Sequence, residues 1–262
     1  MLTHKSNTAI FGLLMLLLLC LHSFLHPLPW FLFVLVALVY FALLSWGSAQ
    51  IHSNYHLAVI CSGKENGKQE IAISFDDGPD AETTPAVLDL LKKHGLTATF
   101  FCIGKKIEGK EKLLKRMFDE GHIIANHSFS HSYFFDFFGP VRIKNELLRT
   151  NLEIERVIGK KANYFRPPYG VTTPNIANAV EKLQLKTIGW NIRSMDAVEK
   201  DEKKIIETVT SQIKSGAIIL FHDTNSRVLP ALEATILHCQ KNGFKIVPLN
   251  RLINCEPYVK DE

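Results

Sequence analysis

Acidic residues are missing from the first 46 positions, where Lys5 is the single Lys or Arg. So long a stretch without charge does not make the surface of a water-soluble domain, and it sets residues 1–50 apart as membrane-anchoring segments. Cysteine is sparse too. Cys20, Cys61, Cys102, Cys239 and Cys255 form no Cys-x-x-Cys spacing and leave one over, which excludes a disulfide framework and a zinc ribbon. Runs of basic residues are lacking, and a net charge of +4 with scattered Lys and Arg excludes nucleic acid as the partner. There is no internal repeat and no low-complexity tract, so neither a solenoid nor a disordered chain is expected. What remains, 262 residues that are 47% apolar and 21% charged, can bury one large core or two modest ones.

The apolar start has internal structure. Ala9 to Leu25 and Trp30 to Trp46 are two apolar runs of 17 residues each, at the short end of what spans a bilayer as a helix, and His26-Pro27-Leu28-Pro29 divides them. The first run has no small-x-small cleavage site after it, and Leu19 before Cys20 does not fit a lipoprotein anchor. A helical hairpin embedded in the membrane through residues 9–46 is therefore expected. Lys5 and Lys64 flank the outside of the hairpin while its loop carries no Lys or Arg, a pattern that favours the cytoplasm for the globular part. Residues 51–67 then read as a linker, 68–255 as the globular domain and 256–262 as a tail.

Beyond the linker, strand-like runs appear at Glu70–Phe75, Ala98–Ile103, His122–Asn126, Tyr164–Arg166, Lys186–Trp190, Ala217–His222 and Lys245–Pro248. Helical patterns lie between them. Thr-Pro pairs ending at Pro85 and Pro174 signal helix starts, and Gly95, Gly121, Gly159 and Gly243 signal stops. Ile143, Leu147, Ile154 and Ile158 fall close to whole turns of one helix. Strand and helix alternate about seven times, which predicts an α/β fold with a parallel sheet: an incomplete (β/α)7-type barrel preceded by the N-terminal hydrophobic helical hairpin. A doubly wound open sheet is the alternative.

Polar residues gather where those strands end. Asp76 and Asp77 follow the first strand and are stopped by Gly78-Pro79; His127 and His131 follow the third, Arg166 to Tyr169 the fourth, Asp196 the fifth and His222-Asp223 the sixth. In a parallel barrel those C-terminal ends form one rim, so residues distant in sequence converge on one cleft. Of two adjacent carboxylates, one can be a metal ligand while the other moves protons. His127 and His131, four apart, would be brought to one side by a helical turn, and with Asp77 they make a two-His, one-carboxylate set that leaves positions open for water and substrate. The same set suits non-haem iron, so it does not define the metal.

Five segments, Ser74-Phe75-Asp76-Asp77-Gly78, His127-Ser128-Phe129-Ser130-His131, Arg166-Pro167-Pro168-Tyr169, Trp190 to Asp196 and Leu220-Phe221-His222-Asp223, resemble in order the five motifs of the polysaccharide deacetylase family, the family 4 carbohydrate esterases with the chitooligosaccharide deacetylase homology domain. The likeness covers roughly residues 68–253. It implies that Asp77, His127 and His131 hold one divalent ion, zinc first, with cobalt, nickel or iron as alternatives. It implies Asp76 as general base, oriented by Arg166, and His222 as general acid, tuned by Asp196. Tyr169, through a backbone N–H, with Pro168 and Trp190 would serve the substrate and the oxyanion. The implied reaction removes N-acetyl groups from an acetylated polysaccharide or oligosaccharide, N-acetylglucosamine residues of peptidoglycan or of a chitin-like chain, which places the catalytic domain outside the cytoplasm, against the charge pattern of the hairpin.

The fourth segment departs from the family's Asp-x-x-Asp-Trp: the first Asp is Arg193 and the Trp is Ala197. A cation replaces an anion and an aromatic wall is lost, so an anionic glycan is one expectation. Hydrolysis of another non-peptide C–N bond and a catalytically impaired, membrane-tethered glycan-binding protein are the other readings. Tyr133-Phe134-Phe135-Asp136-Phe137-Phe138 is read first as core and lid packing beside the metal loop, and second as a sugar-stacking or membrane-facing patch.

Overall fold

Strand β2 (Glu70–Asp76) is buried along its whole length, and its two faces differ in chemistry. Ile71, Ile73 and Phe75 join one apolar cluster with the surrounding helices, while Ala72, Ser74 and Asp76 point the other way. A strand buried on both faces belongs at the centre of a parallel sheet. β2 pairs in parallel with β3 (Thr99–Cys102) on one side and β8 (Ile218–His222) on the other. In the computed structural model, which describes residues 3–64 and 67–259, the hydrogen-bonded order is β1-β6-β5-β4-β3-β2-β8-β7, with β9 (Lys245–Ile246) joined to the start of β2. The remaining strands are β1 (Val59–Ile60), β4 (Ile123–Asn126), β5 (Tyr164–Phe165), β6 (Lys186–Ile188) and β7 (Ile192–Arg193). All ladders are parallel.

The sheet curls into an incomplete barrel with helices outside. β6 and β7 are consecutive in the chain yet stand near opposite ends of the strand order, so Gly189-Trp190-Asn191 crosses the opening. The seven expected strands are present, and two short ones, β1 and β7, add to them. Their two paired residues each are too few to show a periodicity in sequence. One core lies between sheet and helices, around Phe75, Phe100, Ile219 and Phe221. A second fills the barrel with Ala72, Phe101, Tyr164, Ile188 and Leu220. A third packs Phe135, Phe138, Ile143, Leu147 and Phe165 under the loop that follows β4.

The helices obey local rules. α5 (Pro140–Ile158) starts on a proline and ends at Gly159, whose φ of 69° is the left-handed stop that glycine takes without strain. α6 (Pro174–Lys182) has Pro174 in its first turn under the Thr173 cap. α3 (Thr83–Lys93) begins two residues before Pro85, so that proline sits in the first turn, where its missing N–H costs nothing.

The N-terminal hairpin is α1 (His4–Phe24) and α2 (Trp30–Ala49), two helices long and apolar enough to cross a membrane, with most of their large side chains exposed. The 51–67 stretch, expected as a linker, is packed instead. Ile51 and Val59 are buried in the barrel core, Tyr55 is buried against Gly47 of α2, and β1 extends the sheet; residues 65 and 66 lie outside the described residues. Its alternating polarity hid a segment that docks by only a few side chains. Of the expected 256–262 tail, residues 260–262 also lie outside the described residues, and in its near part the Tyr258 hydroxyl accepts from the Ile124 backbone N–H at 3.0 Å.

Candidate active site

Strand parity assembles the site. Asp76 on β2 and His222 on β8 end their strands on the barrel-facing side and are register partners across the ladder. His127 and Arg166 follow β4 and β5 and turn into the same cavity. Asp76 is 3% exposed, and its Oδ1 accepts from Arg166 Nη1 at 2.7 Å. Arg166 is fully buried and uses four of its five N–H donors: Nη1 also donates to Ser74 Oγ at 3.0 Å, Nε to the Ile188 carbonyl at 3.2 Å and Nη2 to the Gly189 carbonyl at 2.8 Å. Its guanidinium lies over the Phe101 ring. Burial pulls Arg166 down from its ordinary range, opposed by the charge and hydrogen bond of Asp76. A planar fork with this many acceptors admits no lysine in its place.

Asp77 turns away from Asp76 because its backbone has a φ of 73°, a left-handed conformation uncommon outside glycine. Its Oδ1 stands 3.4 Å from His127 Nε2 and 3.2 Å from His131 Nε2, and the three potential ligand atoms lie within 4.8 Å of one another. That oxygen is buried and makes no hydrogen bond among the described residues. Bonds of about 2.0–2.1 Å to a tetrahedral ion imply ligand-to-ligand edges of about 3.3 Å, so the two Asp77–His spacings and the orphaned oxygen fit one small divalent cation. His127 Nδ1 is 2.8 Å from the Arg166 carbonyl. A carbonyl only accepts, so Nδ1 carries the proton and Nε2 offers its lone pair to the cluster.

Residues 127–131 are not a helical turn, as the spacing had implied, but a loop held by side chains. Ser128 and His131 have φ of 61° and 47°. Asn126 Oδ1 accepts from Ser128 N at 2.9 Å, Ser128 Oγ from His131 N at 3.1 Å, and Glu146 Oε2 on α5 from Ser130 N at 2.7 Å, Ser130 Oγ at 2.9 Å and Phe129 N at 3.2 Å. These bonds replace those a helix would have made. Burial depresses His131 to about 4, with the neighbouring His127 charge adding to it. For His127 burial also acts downward, but Asp76 and Asp77 outweigh it and raise the group. On Asp77 burial acts upward, and the charges of His127, His131 and His222 outweigh it and bring the group below the ordinary carboxylate range.

On the opposite wall His222 Nδ1 is 2.8 Å from Asp196 Oδ1, and its backbone N–H donates to Asp196 Oδ2 at 2.9 Å. Asp196 is fully buried and also accepts from Ser194 Oγ at 2.6 Å. Burial alone would lower His222; the Asp196 hydrogen bond and charge reverse the sign and raise it. Asp223, next along, is buried under Gly78, where any Cβ would fall 2.4 Å from its carboxylate; burial lifts Asp223 to about 7 and Thr84 donates to it.

The expected substrate residues divide. Tyr169, at a φ of 58°, is partly exposed, sets its ring edge-on to His131 and stacks on Tyr133 at 5.9 Å. Its backbone N–H makes no hydrogen bond among the described residues. Pro168 is buried in the same turn. Trp190 is turned inward under Gly170, whose missing Cβ leaves room for the indole, and is floor rather than open surface. The aromatic run is only half packing: Phe135 and Phe138 are buried, while Tyr133, Phe134 and Phe137 are exposed. Ser74, Asn126, Glu146 and Ser194 were not singled out from sequence. Ser74 was legible as the inward neighbour of Asp76 at two residues' distance; Glu146 had no local signal.

The sequence profile described as Polysaccharide deacetylase matches residues 63–188. The peptidoglycan-N-acetylmuramic acid deacetylase PdaA of Bacillus subtilis is 34% identical over 190 residues, 71% of this chain and 72% of the relative. Among solved structures, the Bc1960 peptidoglycan N-acetylglucosamine deacetylase superposes with a TM-score of 0.71 at 30% identity, over 76% of this chain and 94% of the other. A family 4 acetyl xylan esterase from Clostridium thermocellum, in complex with a cobalt ion, gives 0.65 at 31% identity, over 70% and 89%.

Proposed function

The chain belongs to the polysaccharide deacetylase family, and from that premise we propose that it is a metal-dependent hydrolase removing N-acetyl groups from an acetylated glycan, with N-acetylglucosamine residues of peptidoglycan or a chitin-like oligosaccharide as substrate. What carries the reading is the pairing of Asp76 and His222 as register partners on neighbouring strands, beside the Asp77, His127 and His131 cluster. A divalent cation held by those three residues, zinc first, supplies Lewis acidity, making water nucleophilic near neutral pH and drawing charge from the amide oxygen.

The side chains then divide the proton transfers. Arg166 engages Asp76 Oδ1, which leaves Oδ2 to take the proton from water as its oxygen bonds to the acetyl carbon. The unengaged Tyr169 N–H is the donor for the oxyanion. His222 has Nδ1 committed to Asp196, so Nε2 gives its proton to the sugar nitrogen as the C–N bond breaks. The products are acetate and a free amine. Acetate release from N-acetylglucosamine oligomers or peptidoglycan fragments tests this: chelator, Asp76→Asn and His127→Ala are each expected to abolish it. Binding of glycan with no release from any acetylated substrate would leave the binding-only reading.

One observation favours a narrower substrate. Arg193 pairs with Leu220 on the barrel-facing parity, two residues short of His222, and is exposed without a salt bridge or hydrogen bond among the described residues. A free cation on the cleft wall suits a carboxylate-bearing sugar, the chemistry in the name of the Bacillus subtilis relative. Arg193→Asp is expected to lower kcat/KM for N-acetylmuramic substrates roughly tenfold while sparing neutral oligomers; equal effects on both would remove the preference. The catalytic unit is taken to begin at Ile51, which packs in its core, and to run to residue 255; the hairpin within 1–50 would hold it at a membrane, and the cell-wall substrate would place it outside the cytoplasm.

A further inference from the structure

The junction between hairpin and barrel is hydrogen-bonded and packed, and lies at the active-site rim. The backbone N–H of Thr172 donates to the Ser48 carbonyl, in the last turn of α2, at 3.0 Å. Thr172 is three residues beyond Tyr169. At the other end of the hairpin, His4 N donates to the Tyr55 carbonyl at 2.8 Å, and Asn7 Nδ2 to the Tyr55 hydroxyl at 3.0 Å. Ile51, two residues past α2, packs at Gly189, whose carbonyl accepts from Arg166, which holds Asp76. Three contacts therefore separate Ile51, two residues past α2, from the Asp76 carboxylate.

The level of the membrane surface can be read from α2. Exposed Trp30 and Trp46 stand 16 residues apart, ~24 Å along the axis, as aromatic residues do at the two interfaces of a bilayer. Trp46 is two residues from Ser48, so the interface runs past Thr172 and the rim. On that rim Tyr133, stacked on Tyr169, leads into Phe134 and Phe137, which are 69% and 79% exposed. Phe135 and Phe138, buried beside them, clamp the loop, so these rings are displayed by a fixed shelf.

We propose that the cleft opens onto the lipid surface, that Phe134 and Phe137 seat in the bilayer interface, and that the substrate is an N-acetylated saccharide carried on a membrane lipid. The substrate half rests on the deacetylase reading; the surface contact does not. A lipid-borne sugar can be presented at either membrane face, so the hairpin's charge pattern no longer opposes the substrate.

Two measurements on the full-length chain in phospholipid vesicles test this. First, a nitroxide at Phe137→Cys, in a Cys20→Ser background, is expected to collide with oxygen more than with a water-soluble nickel chelate. One at Lys93→Cys, on the opposite rim where α3 ends, is expected to show the reverse. Second, a lipid-linked N-acetylated disaccharide in the vesicles is expected to be turned over roughly tenfold or more faster than the free disaccharide. The Phe134→Ser/Phe137→Ser pair should slow the lipid-linked substrate roughly fivefold or more and leave the free one unchanged. A nitroxide at 137 as water-exposed as that at 93 overturns the proposal, and so does equal turnover of both substrates with the double variant silent. Interfacial placement with no acetate from either substrate upholds the surface contact and overturns the deacetylase reading instead.

Discussion

Asp196 holds His222 twice, through the ring and through the backbone N–H, and the ring contact with its charge favours the imidazolium. A general acid must be protonated, so activity that depends on it persists below the raised pKa of His222 and is lost as pH rises through it. Asp196→Asn removes the charge and keeps the shape; the alkaline limb of kcat/KM is expected to move to lower pH, read from a full pH profile. The linkage sign agrees: a group raised on folding stabilises the fold below its unfolded pKa, and that contribution disappears as pH rises through the folded one. An unshifted limb in Asp196→Asn would assign that limb to another group.

Elements decide what single residues cannot. The loop after β4 carries the two imidazoles of the Asp77, His127 and His131 cluster, yet its geometry comes from α5, where Glu146 gathers three donors of residues 129–130. Glu146→Gln offers one acceptor oxygen without charge where a carboxylate served, and the expected result is a cation affinity weaker by about 10–100-fold, measured by competition with a chromophoric chelator. Strand parity is the second element-scale device. Ser74 and Asp76 on β2, Leu220 and His222 on β8, and Arg193 on β7 share the barrel-facing side because side chains alternate with a period of two. Five of the non-glycine residues with positive φ, Asp77, Ser128, His131, Tyr169 and Met195, stand in or beside this site, where backbone strain is held by surrounding bonds.

For the whole molecule, the joint between anchor and barrel matters most. Ile51 is 5% exposed and sits in the barrel core although it follows the apolar helix α2 by two residues. Ile51→Ala is expected to destabilise the catalytic unit by about 2–5 kcal/mol in denaturant titration in detergent, whereas a tethered domain would not register the change. Because Ile51 borders Gly189 and so Arg166, turnover should fall with stability. The segment that joins the hairpin to the barrel is part of the core.

Sequence alone determined the parallel α/β alternation, the hairpin, and the gathering of Asp76, Asp77, His127, His131, Arg166, Asp196 and His222 at strand ends, because each is a local pattern: a period, a breaker, a residue at the end of an apolar run. Tertiary structure decided the rest. That His127-Ser128-Phe129-Ser130-His131 is a braced loop depends on Glu146, distant along the chain, and that 51–60 is core depends on a cavity between strands formed far downstream. The aromatic run shows the boundary most plainly: five rings look alike in sequence, but Phe135 and Phe138 meet α5 and α6 while Phe134 and Phe137 stay exposed, since burial is a property of what other elements bring to a residue and not of the residue itself.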